Sequence, residues 1–421
     1  MPSETARFQL IKAARLLDGT GRAPLESAAL LMEDGHVAAM GSQAEVRTPE
    51  GAPVRETDYG DATILPGLVD AHTHFVAPGD GTPGEEIAKE DDDILLLQAA
   101  KNARTVLHSG VTTIRENGAK NRVAFSLREG IRRGLAVGPR MVICGRAITI
   151  TGGHLWYFGS EADGEDGVRA EVRRLLKEGA DYIKIMATGG TTRTSDPNRA
   201  AYTVAELRAI TDEAHRHGRL TAAHCTSSEG VANCLDAEVD MIIHCVFNEP
   251  DGTYKFRPDL VERLARVNAW VNPTLYVMRV RIERLQAKQE REGPLASRDA
   301  ALLEWSRRAM EARFDGTYRM AKAGIRMAAG SDSPWGWYAP GEFVHEVRML
   351  VEAGLSSTDA IVASTSSAAD SIGTGEIAGR LAPGRPADIL VAAGDPLQDV
   401  AALWNVRDVY QGGRRIARAI A

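Results

Sequence analysis

Apolar and polar positions along the chain follow two patterns. From Phe8 to Gly60 the apolar residues come in short runs, Phe8–Ala13, Ala28–Met32 and His36–Met40, punctuated by Asp18-Gly19, Asp34-Gly35 and Gly41-Ser42. Such runs between turn residues predict strands. The far end repeats the pattern: Ala387–Ala392 reads as a strand, Gly394-Asp395-Pro396 as a turn, and Val406–Tyr410 with Arg414–Ala417 as a hairpin through Gly412-Gly413. Between the ends, strand candidates alternate with helical stretches. The strands are Ile64–Asp70, Thr112–Arg115, Arg140–Ala147, Tyr182–Met186, Thr221–His224, Met241–His244, Trp270–Val277 and Ile325–Ser331. The helices include Asp93–His108, Ala124–Arg133, Asp166–Glu178, Val204–His217, Ser228–Leu235, Pro258–Val267 and Ser297–Ala323. Thr203 and Glu206 form a capping box at one helix start, and Gly218 closes that helix. Helices at Val344–Ala353 and near Thr358–Ser366 then lead back to the strand-rich end. Strands alternating with helices predict an α/β fold, a TIM (β/α)8 barrel. We expect the barrel over residues 65–365, with residues 1–64 and 366–421 combining into one small β-sandwich domain.

Composition narrows the function classes. The 421 residues carry 50 basic and 57 acidic side chains, a net charge of -7, with 44% apolar and 25% charged. These are the proportions of a globular protein. A mild acidic excess gives no footprint for nucleic acid and none for an anionic membrane. No uncharged run reaches the roughly 18–20 residues that span a bilayer. The first residues lack the apolar core of a signal peptide, so a cytoplasmic location is expected. Cys144, Cys225, Cys234 and Cys245 show no CxxC pairing and read as buried reduced thiols.

Histidines at strand ends carry the candidate chemistry. His72 and His74 follow the apolar run from Ile64, and residues two apart on a strand share a face. Strand C-termini of such a barrel face its active site. Lys184 lies inside Tyr182-Ile-Lys-Ile-Met186, where a bare ammonium needs a partner or a modification. A carbamate made with CO2 would make it an anionic ligand bridging two metals; pairing with a carboxylate, or snorkelling outward, is the alternative. His224 and His244 each end an apolar run, and Asp332 follows Ala328–Ser331. A short carboxylate there can bind metal and shuttle a proton, or simply cap a turn. Nitrogen and oxygen ligands suit zinc, or manganese, cobalt or iron.

The stretch Leu65-Pro-Gly-Leu-Val-Asp-Ala-His-Thr-His74, with Gly110–Thr113, Gly179–Gly190, His224, His244, Gly330-Ser-Asp332 and Pro383–Leu390, resembles the amidohydrolase superfamily, near imidazolonepropionases and Xaa-Pro dipeptidases. The resemblance covers nearly the whole chain. It implies that His72, His74 and Asp332 hold a first divalent metal, His224 and His244 a second, and carboxylated Lys184 bridges them. Imidazolonepropionases use one metal without the lysine, so Lys184 favours the binuclear, peptidase-like arm. Deaminase relatives carry a glutamate where this chain has Ser227. Many relatives have aspartate after the arginine of Arg115-Glu116-Asn117-Gly118; Glu116 is expected in its role.

The implied reaction is cleavage of a C–N amide bond by a metal-bridging hydroxide, with Asp332 moving the proton. Substrates would be small-molecule amides: dipeptides, Xaa-Pro or N-acyl amino acids, or alternatively xenobiotic aryl amides, carbamates or phenylureas, including mycotoxin-type amides. Lactonase activity and a metal-free scaffold are the remaining readings. His154 is expected to act on the substrate carbonyl or a carboxylate, or to be an ordinary loop histidine. Arg193 could pair with a carboxylate or lie solvated. Tyr254 and Tyr276 are weaker substrate-binding candidates. Trp156–Phe158 and Trp335, Trp337 and Tyr338 form two aromatic clusters in loops of a chain that is only 5% aromatic. Those clusters suit a wall for a bulky substrate, loop packing or a subunit contact. A homo-oligomer is expected from the resemblance.

Overall fold

The computed structural model describes residues 7–416. The amino-terminal strands are β1 (Phe8–Leu16), β2 (Leu25–Glu33), β3 (His36–Ser42), β4 (Val54–Asp58) and β5 (Ala62–Pro66). β1 runs antiparallel to β2 with Leu10 opposite Leu31, while β4 and β5 run parallel to β1. β4, Val-Arg-Glu-Thr-Asp, has no apolar alternation, so the pattern did not predict it.

The apolar run Ile64–Asp70 is two strands, not one. β5 stays in the terminal sheet, and β6 (Leu68–Thr73) starts a new one after Gly67. A Cβ at Gly67 would lie 2.1 Å from Thr112 Oγ1, so the crossing needs glycine. β6 pairs in parallel with β7 (Val111–Glu116), and β7 with β8 (Arg140–Ile143). β8 ends before the expected Ala147, and the chain turns at Gly145, whose φ is +76°.

A second arc contains β9 (Ile148–Thr149), β10 (Ser160–Glu161), β11 (Ile183–Met186), β12 (Thr221–Ser227), β13 (Met241–Asn248) and β14 (Trp270–Asn272), in the order β10-β9-β11-β12-β13-β14. Every pairing in it is parallel. The expected strand Trp270–Val277 stops at Asn272. Pro273 offers no N–H to a ladder, and a helix the pattern did not predict begins at Tyr276 and runs to Glu292. Ile325–Ser331 is not a ladder strand either. It sits between the arcs: Val271 N–H donates to Arg326 O on one side, and Ala71 N–H to Ala329 O on the other. The molecule is therefore a mixed α/β fold with two parallel arcs, not the expected closed ring of eight paired strands.

The predicted helices occur within a residue or two of their expected ends at Asp92–His108, Val123–Arg132, Gly164–Glu178, Val204–Arg216, Ser228–Asp236, Pro258–Val267, Ser297–Lys322 and Val344–Glu352, whereas the one expected near Thr358–Ser366 stops at Ala363 and a separate helix spans Ser366–Ser371. The capping box is present: Thr203 Oγ1 accepts from Glu206 N–H, and Glu206 accepts from Thr203 N–H. The carboxy-terminal strands are β15 (Ile389–Ala393), β16 (Val406–Gln411) and β17 (Arg414–Arg415). β15 runs antiparallel to β5, with Leu390 opposite Leu65. One sheet thus takes strands from both ends of the chain around a core that includes Ile11, Leu30, Ile64 and Val391. The last residue of the expected hairpin, Ala417, lies outside the described residues.

Candidate active site

The ends of β6, β11, β12 and β13 open into one cavity of about 1010 Å³, and His72, His74, Lys184, His224, His244 and Asp332 all line it. The imidazoles form a row. Ring centroids lie 5.2 Å apart for His74 and His72, 5.7 Å for His72 and His244, and 4.6 Å for His244 and His224. His154 continues the row, 4.6 Å from His224.

Hydrogen bonds on the far side of each ring set which nitrogen faces inward. His74 Nδ1 lies 3.2 Å from Gly118 O, an acceptor only, so Nδ1 carries the proton. Asn272 Nδ2 donates to Ala328 O and Gly330 O, which turns Asn272 Oδ1 towards His72 Nδ1 at 3.1 Å. Both Nε2 atoms are then lone-pair acceptors. They lie 3.2 Å apart, and 3.3 and 3.5 Å from Asp332 Oδ1. His224 Nε2 donates to Gly189 O at 3.0 Å. Thr274 Oγ1 donates to Pro273 O and accepts from His244 Nδ1 at 2.5 Å. That leaves His224 Nδ1 and His244 Nε2 facing each other at 2.9 Å with no proton between them. Two groups of acceptor atoms converge with nothing positive between them, and a cation at each would satisfy both. His72, His74 and Asp332 have ligand atoms all within 4.8 Å of one another.

Lys184 is buried, and its Nζ donates to Asn117 Oδ1 at 3.3 Å. Burial, then the Arg115 guanidinium, pulls the ammonium well below its ordinary pKa. Burial and the Lys184 charge hold His74 and His154 down at about 3, and burial keeps His72, His224 and His244 low too. Burial lifts Asp332 above the usual carboxylate range, opposed by Lys184 and Arg313. His244 and Asp332 both have φ of +66°, and Thr274 has +51°. This is left-handed backbone that non-glycine residues rarely adopt, held here by surrounding structure.

The other sequence candidates divide. His154, Tyr254, Trp335 and Trp337 line the cavity. His154 Nδ1 lies 2.8 Å from Thr192 Oγ1, and Tyr254 OH donates to Asp315. Trp335 packs on His74 and on Phe158. Tyr276 does not line the cavity: it stacks on His345 and its hydroxyl donates to Glu283. Arg193 is exposed and also outside the lining; its backbone N–H donates to Glu85. Ser227 caps the helix Ser228–Asp236, accepting from Gly230 N–H. Glu116 Oε2 accepts from Gly118 N–H, while its buried Oε1 has no partner. Sequence reading missed the orienting residues Asn117, Thr192, Asn272 and Thr274. Polar side chains following an apolar strand were the available signal for Asn117 and Asn272; Thr192 and Thr274 lie in loops and gave none.

Comparison with known proteins agrees with this geometry. The family model described as Amidohydrolase family matches residues 63–416. Ochratoxinase of Aspergillus niger is 27% identical over 451 residues, an alignment covering 98% of this chain and 87% of that one. A crystal structure of a Xaa-Pro dipeptidase with bound methionine in the active site superposes with a TM-score of 0.84 at 24% identity, over 97% of this chain and 99% of that chain. Phenylurea hydrolase B superposes with a TM-score of 0.80 at 20% identity, over 97% and 96%. With a family match across most of its length and the histidine, lysine and aspartate set in one cavity, the chain belongs to the amidohydrolase family.

Proposed function

We propose that the protein is a metal-dependent hydrolase of C–N amide bonds in dipeptides, Xaa-Pro or N-acyl amino acid substrates. The observation that carries this is the convergence of unprotonated His Nε2 and Nδ1 atoms and Asp332 in one cavity. His72, His74 and Asp332 would hold one divalent ion, most simply zinc, and His224 and His244 a second. Lys184 is kept short of full protonation by burial. A neutral amine is the form that adds CO2, which supports a carbamate shared by both ions. Ions bound there would lower the pKa of a water molecule and polarise the scissile carbonyl. Asp332 takes the proton of the attacking water and delivers it to the departing nitrogen. His154, neutral through burial, donates from Nε2 to the carbonyl oxygen as charge builds there.

The cavity also favours a second reading. Tyr157, Trp335 and Trp337 line a space at the top of the roughly 300–1,000 Å³ range of small-molecule pockets. This suits xenobiotic aryl amides, carbamates or ureas, in keeping with the names of ochratoxinase and phenylurea hydrolase B. We further read the two arcs and the segment Ile325–Ser331 as the wall of a (β/α)8 barrel over residues 65–365, with residues 1–64 and 366–421 as a β-sandwich. No helix of the described residues is long and apolar enough to cross a membrane. A cytoplasmic homo-oligomer is our working picture; the four cysteines are free and buried.

The test is a hydrolysis screen over Xaa-Pro dipeptides, N-acyl amino acids and aryl amides and ureas, with zinc and bicarbonate present. The expected result is turnover of at least one class, and loss of bound metal and most activity in Lys184→Ala. Full activity of Lys184→Ala at unchanged metal content would overturn the carbamate assignment.

A further inference from the structure

The cavity is also walled by the helices Tyr276–Glu292 and Ser297–Lys322, which place Arg281, Arg308 and Arg313 in its lining. Arg313 is buried, Arg281 half-buried, and Arg308 exposed. Some arginines of these helices outside the cavity are paired, Arg279 with Glu352 and Arg319 with Asp315. Among the described residues, none of the three cavity arginines forms an ion pair with a carboxylate. Among the described residues, the Arg281 guanidinium has the Met278 sulfur at 3.8 Å and the face of Trp305 at 5.6 Å. Arg313 spends Nη1 on Thr274, donating to its carbonyl oxygen at 2.7 Å and to Oγ1 at 2.9 Å. Nothing among the described residues accepts from its Nη2 or Nε. Burial lowers the Arg313 pKa, Asp332 opposes this and the nearby Arg281 adds to it, and Asp332 also acts on Arg281.

Asp332 offsets part of their charge from a distance, but no carboxylate among the described residues lies within ion-pair reach of either guanidinium, and two like charges partly or fully out of water are stabilised by an anion between them. Their planar forks match a carboxylate. We infer that Arg281 and Arg313 form the binding site for a carboxylate of the substrate, so that the amide cleaved is that of an acid rather than a neutral molecule. This rests on the hydrolase reading above and chooses within it, favouring dipeptides and N-acyl amino acids over neutral aryl ureas. The two arginines take the part expected of Arg193, which points elsewhere.

Arg313 also steadies Thr274, and through it His244, so the informative position is Arg281. The test has a binding arm and a turnover arm on the full-length, metal-loaded protein. Calorimetry with 3-phenylpropionate and its neutral carboxamide should show tighter binding of the acid. Arg281→Gln should weaken acid binding by about tenfold or more and so collapse the preference. Arg281→Lys should recover part of it, and Arg307→Gln, exposed and outside the lining, should change nothing. In turnover, the kcat/KM ratio of N-benzoyl-phenylalanine to its carboxamide should fall with Arg281→Gln, mainly through KM, at unchanged metal content. Equal binding of acid and carboxamide by the wild type, or an unchanged preference in Arg281→Gln, would overturn the assignment. If neither amide is cleaved but the calorimetric pattern holds, the hydrolase reading fails and the carboxylate site stands.

Discussion

Each candidate metal-site imidazole depends on a residue behind it. Asn272 is the clearest case, since its amide is fixed by two carbonyls and turns its oxygen to His72. Asn272→Ala is expected to lower metal affinity about 10–100-fold, read by titrating zinc into the stripped protein against a competing chelator. His154 gives a pH signature. Its folded pKa, about 3, is depressed by burial, against about 6.5 when unfolded. The unfolded chain therefore binds the proton first, and the His154 contribution to stability is present above pH 6.5 and lost as pH falls towards 3. Between pH 7 and pH 5 the wild type should lose about 2 kcal/mol more than His154→Gln, measured by urea unfolding at both pH values. Equal losses would show that His154 is not held neutral by the fold.

Local chemistry made most elements legible, and non-local contacts accounted for the misses. The helix Val204–Arg216 has its start written in Thr203 and Glu206. Thr203→Ala should cost about 1 kcal/mol by denaturant midpoint and leave turnover unchanged, because the cap is exposed and outside the cavity lining. Misreadings occur where neighbours decide. The run Ile64–Asp70 is apolar up to Val69, and the close approach of Gly67 to Thr112 shows that it divides there. Ile325–Ser331 has the composition of a strand, yet makes only an isolated bridge to Val271 on one side and a bond from Ala71 on the other instead of a ladder. The start of the helix Tyr276–Glu292 was hidden because apolar residues, Leu275 to Met278, resume so soon after β14 that they read as its continuation across Asn272-Pro273-Thr274.

At the scale of the molecule, β5 needs partners from both ends of the chain, β1 on one side and β15 on the other. Deleting residues 389–421 would leave Ile64 and Leu65 without the cover of Val391 and Leu390. That chain is expected to be insoluble or to lack near-ultraviolet circular dichroism, whereas cooperative unfolding of a soluble product would show that the sheet tolerates the loss. By itself the sequence determined the alternation of strands and helices, the pairing of the chain ends into one β-rich region, and the histidine, lysine and aspartate set. Those depend on residue spacing and on motifs that act over a few positions. Only the tertiary structure decided which ring nitrogens face one another, that Arg193 and Tyr276 lie off the cavity, and that Arg281 and Arg313 line it unpaired. Such facts depend on contacts between elements as far apart in the chain as Thr274 and Arg313. A one-dimensional pattern records which residues are present there, but not which of them lack a partner.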